Sequence, residues 1–108
     1  LMASRTTPVP PLPSLPTPTG RRPAAHLVGI GGAGMKALAE LLVGLGWKVT
    51  GSDLRASDAL DRMRRQGLKV FAGHDDAALP AGVDLLVHSP AVGPENPERV
   101  EAARRGVP

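Results

Sequence analysis

The chain has 108 residues, 13 Lys and Arg against 10 Asp and Glu, a formal net charge of +3 and no Cys. That length holds one small domain. The missing thiols exclude a disulfide scaffold, a thiolate metal site and a Cys nucleophile, and no apolar run approaches the roughly 20 residues that cross a bilayer.

The basic balance suggests an anionic partner such as nucleic acid, so the position of the charge matters. Arg5, Arg21 and Arg22 lie in the first 25 residues, which hold no acid, whereas residues 26–108 hold ten basic and ten acidic side chains. The folded part is therefore expected to be neutral and to bind no nucleic acid. Pro8, Pro10, Pro11, Pro13, Pro16 and Pro18 fix φ and remove backbone donors. Residues 1–25 thus read as a disordered Pro-rich leader, with a ligand for a Pro-recognising module as the sharper alternative. The first residues show no apolar h-region of a secretory signal, and a cytoplasmic location is expected.

Ala25–Ile30 is a short apolar run ahead of a glycine cluster, the pattern of a strand buried on both faces. A helix follows to Leu45, with Met35, Leu38, Leu41, Leu42 and Leu45 as its apolar face and Gly46 closing it. Lys48–Ser52 reads as strand two, ending at Asp53. Ser57 caps a helix to about Gln66, with Leu60 and Met63 inward and Asp58–Arg62 and Asp61–Arg65 as i,i+4 pairs. Leu68–Ala72 is strand three, and one helical turn before Pro80 leads to strand four, Asp84–His88. Asn96 caps a helix with Pro97 at its first position and Gly106 at its end. Val107 and Pro108 approach a fifth strand. Alternating strands and helices predict a Rossmann-like, doubly wound α/β fold of order 3-2-1-4, its fifth strand missing or incomplete. The bare strand-four edge, Leu85–Val87, would favour self-association.

Gly29-Ile30-Gly31-Gly32-Ala33-Gly34 fits G-x-G-x-x-G between a strand and a helix. In that context Gly29 permits the tight turn, Gly31 permits approach of a pyrophosphate, and Gly34 permits close helix–strand packing. The helix N-terminus offers N–H groups to phosphates. Asp53, 19 residues beyond Gly34, can accept from a ribose or a base edge, or can act as a turn former. Ser89 to Val92 would face the glycine loop across the switch point between strands one and four, as ligand contact or as a polar turn fixed by Pro90. His26 and His88 read as structural, and His74 lies in a loop at the ligand end. No catalytic set and no metal-ligand spacing is present. A nicotinamide dinucleotide of a dehydrogenase or regulatory module fits the loop and Asp53 equally well.

The run His26–Met35, together with Val49-Thr50-Gly51-Ser52-Asp53, Gly73-His74, Ser89-Pro90-Ala91-Val92 and Asn96-Pro97-Glu98 leading to Gly106-Val107-Pro108, resembles the N-terminal part of the Mur ligases. The resemblance covers residues 26–108 and implies a domain that holds UDP-N-acetylmuramate. It implies a diphosphate on Gly29, Gly31, Gly32, Ala33, Gly34 and Met35. Asp53, Leu54, His74, Ser89, Pro90 and Ala91 would then lie on the uridine side. Ser89-Pro90 favours the member that adds L-alanine over the one that recycles murein tripeptide, which carries Gly-Asn there. The family's reaction is an ATP- and Mg²⁺-dependent amide ligation in peptidoglycan precursor synthesis. No G-x-x-x-x-G-K-[ST] occurs among these residues, so the resemblance implies a truncated ligase, inactive alone.

Overall fold

The computed structural model describes residues 21–108; the leader expected over residues 1–25 falls for the most part outside them. β1 (Ala24–Val28), α1 (Ala33–Gly44), β2 (Lys48–Asp53), α2 (Asp58–Arg65), β3 (Lys69–Ala72), β4 (Leu85–His88) and α3 (Pro97–Arg105) follow in chain order. A 3₁₀ turn, Asp76–Ala78, precedes β4. The four strands form one parallel sheet in the order β3-β2-β1-β4, as the alternation of elements predicts.

The helix boundaries follow local chemistry. Ser57 Oγ accepts from Leu60 N at 3.2 Å to start α2, and Asn96 Oδ1 accepts from Glu98 N and Arg99 N to start α3 behind Pro97. Gly46 and Gly106 leave α1 and α3 with φ of +90° and +74°, the left-handed conformation that glycine adopts without a Cβ penalty. On α1 the buried stripe is Met35, Ala39 and Leu42 with Leu38 beside it, whereas Leu41 and Leu45 are exposed. The expected face thus took in two exposed residues, Leu41 and Leu45, and left out Ala39, because the sheet contacts only the i, i+3, i+4, i+7 stripe set by Met35. Neither expected i,i+4 pair on α2 forms. Asp61 instead meets Arg64 one turn away at 3.2 Å, and Arg64 also donates to Val70 O, which selects it over Arg65.

Two faces of the sheet carry two clusters. Leu27, Ile30, Ala39, Leu42, Val49, Leu60 and Val70 pack under α1 and α2. Leu79, Val83 and Ala102 pack under α3. Period-2 alternation sends Val49 and Gly51 to the first face and Thr50 and Ser52 to the second. Gly51, not Gly34, is the glycine that close packing demands. A Cβ at Gly51 would lie 2.6 Å from Leu27 O and 2.7 Å from Ile30 Cδ1, whereas one at Gly34 meets nothing within 4 Å.

The charge at the start of the chain is also differently placed. Arg21 donates to Gly82 O and pairs with Asp84, whose other oxygen accepts from Ala24 N. Arg22 donates to Gly46 O and Trp47 O. These arginines therefore belong to the fold, and β1 begins at Ala24. At the β4 edge, Leu86 N donates to Pro108 O at 2.9 Å, so the backbone after α3 already pairs along the edge expected to be bare.

Gly51→Ala is expected to lower stability by about 1–3 kcal/mol through overpacking. Gly34→Ala should be neutral or stabilising by up to about 1 kcal/mol. Urea unfolding of the two variants checks the pair of outcomes.

Candidate ligand cleft and its buried support

The carboxyl ends of β1, β2 and β4 open on a cleft of about 910 Å³. Gly29 follows β1 with φ +85°, and a Cβ built on it would stand 3.0 Å from Ser89 Cβ and 3.4 Å from Val92 Cγ2. The glycine loop and the turn after β4 therefore face each other at the switch point, as the strand order requires. Gly29 N and Ile30 N donate to Ser52 O, and Gly32 N donates to Gly29 O. Gly31 N donates to Asp53 Oδ2 at 2.7 Å.

α1, unlike α2 and α3, has no side-chain cap and no acid in its first turn. The N–H groups of Ala33, Gly34 and Met35 have no acceptor among the described residues. They form the exposed positive end of the helix dipole. A small anion with several acceptor oxygens satisfies such a site.

Of the residues singled out from sequence, Gly29, Gly31, Gly32, Asp53, Leu54, His74, Ser89 and Ala91 line the cleft. Ala33, Gly34, Met35 and Pro90 do not. The Met35 side chain is in the core, so only its backbone faces the loop. The Asp53 carboxylate is not idle: Oδ2 holds Gly31 N and Oδ1 holds Leu54 N. It ties the glycine loop to β2 and keeps lone pairs for a ligand donor. A Cβ at Gly31 would lie 2.6 Å from Asp53 Oδ2, so Gly31 is glycine first for this carboxylate. Leu54 is 66% exposed beside it, an apolar surface on which a flat base can rest. Ser89 Oγ accepts from Ala91 N at 3.1 Å, the polar-turn role, with its own proton left to give. Sequence reading missed Arg55 and Glu95, which also line the cleft; isolated loop charges carry no pattern that distinguishes them from solvated ones.

It also missed the function of Glu98. Although it sits in α3, its side chain is fully buried. Oε1 accepts from His26 Nε2 at 2.6 Å and from Ser52 Oγ at 2.6 Å. Oε2 accepts from His74 Nδ1 at 3.1 Å and from Asp75 N at 3.2 Å. Four donors fill the four acceptor positions of an ionised carboxylate. His26, read as structural, is buried and also meets Thr50 Oγ1 at 2.8 Å. Burial alone pushes the Glu98 carboxyl up, but the hydrogen bonds of His26 and Ser52, the charge of His26 and the bond to His74 hold it below its ordinary value. His88 Nδ1 meets Ser89 O at 3.0 Å, at the sheet rim.

Among the described residues, no three His, Asp or Glu side chains converge as a metal site, and no helix is long and apolar enough to cross a membrane.

Residues 24–108 match the model of the Mur ligase family, catalytic domain. The UDP-N-acetylmuramate–L-alanine ligase of Syntrophus aciditrophicus is 51% identical over 83 residues, 77% of this chain and 17% of that protein. The one of Sulfurihydrogenibium sp. is 45% identical over 83 residues, 77% of this chain and 18% of that protein. Among solved structures, the UDP-N-acetylmuramate-alanine ligase of Thermotoga maritima superposes with a TM-score of 0.75 at 35% identity, covering 79% of this chain and 20% of that one. A murein peptide ligase of Psychrobacter arcticus superposes at 0.68 with 29% identity, covering 78% and 18%. The chain thus spans under a fifth of the length of these two curated relatives.

Glu98→Ala should cost about 3 kcal/mol, because it strands His26 and Ser52 without their acceptor. A carboxyl whose folded pKa is depressed stabilises fully above its ordinary value of 4.5 and loses that contribution as pH falls through the folded value. Denaturant unfolding from neutral pH downward should therefore show stability falling below about pH 4.5, with the Glu98 share of that slope absent from the variant.

Proposed function

The chain belongs to the Mur ligase family, and from that premise we propose that it is the sugar-nucleotide-binding part of a ligase that joins L-alanine to UDP-N-acetylmuramate. The observation that carries this reading is the uncapped N-terminus of α1 opening beside a cleft at the β1–β4 switch point. A diphosphate takes the N–H groups of Ala33, Gly34 and Met35, with Gly29, Gly31 and Gly32 keeping the backbone bare of side chains around it. The nucleoside lies towards Asp53, Leu54 and His74, and the Ser89-Pro90-Ala91 turn closes from the β4 side.

The name shared by the curated relatives at 45% and 51% identity supports the alanine-adding member, as does Ser89-Pro90. None of these relatives is a dehydrogenase, and nothing else favours a dinucleotide. The binding unit is residues 26–108, with its first strand extended back to Ala24. Association with UDP-N-acetylmuramate needs neither nucleic acid nor a membrane.

The ligation itself requires ATP and Mg²⁺, and the residues present do not fit them. The sequence has no P-loop lysine motif, and no acid cluster suits a cation among the described residues. No catalytic step is therefore assigned to these side chains. Their contribution is to fix the sugar nucleotide so that its muramyl carboxyl projects from the cleft.

Calorimetric titration of the chain with UDP-N-acetylmuramate, UDP and NAD tests the reading. The two uridine nucleotides should bind and NAD should bind more weakly; equal or tighter NAD binding would sink the proposal. Gly31→Val should abolish UDP binding with the far-ultraviolet circular dichroism largely retained, since its side chain displaces Asp53 and closes the loop.

A further inference from the structure

His74 sits in the loop after β3, lines the cleft and keeps 17% of its side chain exposed. Its Nδ1 lies 3.0 Å from Ser52 Oγ and 3.1 Å from Glu98 Oε2. The proton of that contact can be assigned from its partners. The Ser52 hydroxyl has one proton, and it goes to Glu98 Oε1 at 2.6 Å. Ser52 Oγ can then only accept from His74. Glu98 Oε2 already accepts from Asp75 N and belongs to an ionised carboxylate, so it too can only accept. Both partners of Nδ1 are acceptors, and Nδ1 must carry the hydrogen. Nε2 of the neutral ring is then bare, and it has no protein partner among the described residues.

We propose that Glu98 is a positioning residue that locks His74 in its Nδ1–H tautomer, so that Nε2 presents a hydrogen-bond acceptor to the cleft and takes an N–H or O–H of the nucleoside. This rests on the sugar-nucleotide reading for its ligand and on the Glu98 geometry for its tautomer. The nucleoside donors of the right chemistry are the uracil imide N–H and the ribose hydroxyls; a phosphate oxygen has no proton to offer a bare nitrogen at neutral pH. The arrangement is the one by which a buried carboxylate commonly sets which nitrogen of a histidine faces a site. It also divides the cleft by polarity. Backbone donors at α1 meet the diphosphate, and side-chain acceptors at Asp53 and His74 meet the nucleoside.

The chain has three histidines, so long-range proton–nitrogen correlation spectra can resolve each ring. Near pH 8, above the ordinary imidazole range, His74 should show a protonated-type Nδ1 and a bare Nε2. In Glu98→Ala the Ser52 hydroxyl loses its acceptor and can donate to Nδ1 instead, and the ring should shift to the Nε2–H form. A wild-type His74 with Nε2–H, or an unchanged tautomer in the variant, overturns the positioning role.

Two further variants test the acceptor without touching Glu98. His74→Asn keeps an N–H at the Nδ1 position and nothing at Nε2, whereas His74→Gln can place its amide oxygen at the Nε2 position. Affinity for UDP should fall about tenfold in His74→Asn, a hydrogen bond's worth, and be largely recovered in His74→Gln. A purely structural histidine predicts the opposite order, and that result overturns the acceptor. If wild type binds NAD in preference to UDP, the sugar-nucleotide reading and the nucleoside partner fall together, while the tautomer stands or falls on the spectra.

Discussion

The Glu98 carboxylate is the interaction on which the arrangement of the cleft depends. One buried group gathers β1 through His26, β2 through Ser52 and the loop after β3 through His74 and Asp75. It does so from the second residue of α3, where the helix dipole favours a negative charge. An ion removed from water is costly unless its lone pairs are filled, and here all are. The polar patch His26–Thr50–Ser52 on the α3 face of the sheet is tolerable only because this acid descends onto it.

The glycine loop shows the same economy. Its backbone is shaped by protein acceptors before any ligand arrives: Ser52 O takes two of its N–H groups and Asp53 takes a third. What remains open is the first turn of α1. Asp53 and Ser52 are adjacent on β2 and serve opposite sides of the sheet's end, one fixing the loop and the other the buried acid. The strand end thus couples the glycine loop to His74 through adjacent backbone.

Much of this was legible from residue patterns. The caps Ser57 and Asn96, the Pro97 start and the Gly46 and Gly106 stops are local hydrogen-bond chemistry, and each lies where its residue type demands. The strand order follows from alternation and handedness. Where the reading went astray, the deciding partner was distant in sequence. Gly51 is constrained by Leu27 and Ile30, which no motif names. Arg21 and Arg22 looked like part of a leader, yet their partners are 24 to 63 residues away.

By itself, the sequence determined the class of fold, the helix ends, the glycine turn between β1 and α1 and the family resemblance, because each is written in short-range spacing. Only the tertiary structure decided that Glu98 is buried, that His74 and His26 share it, and that Asp53 spends its oxygens on backbone amides. Those outcomes depend on which groups meet across the sheet once water is excluded. A carboxylate 72 residues from its histidine has no sequence signature until the fold brings the two within a hydrogen bond.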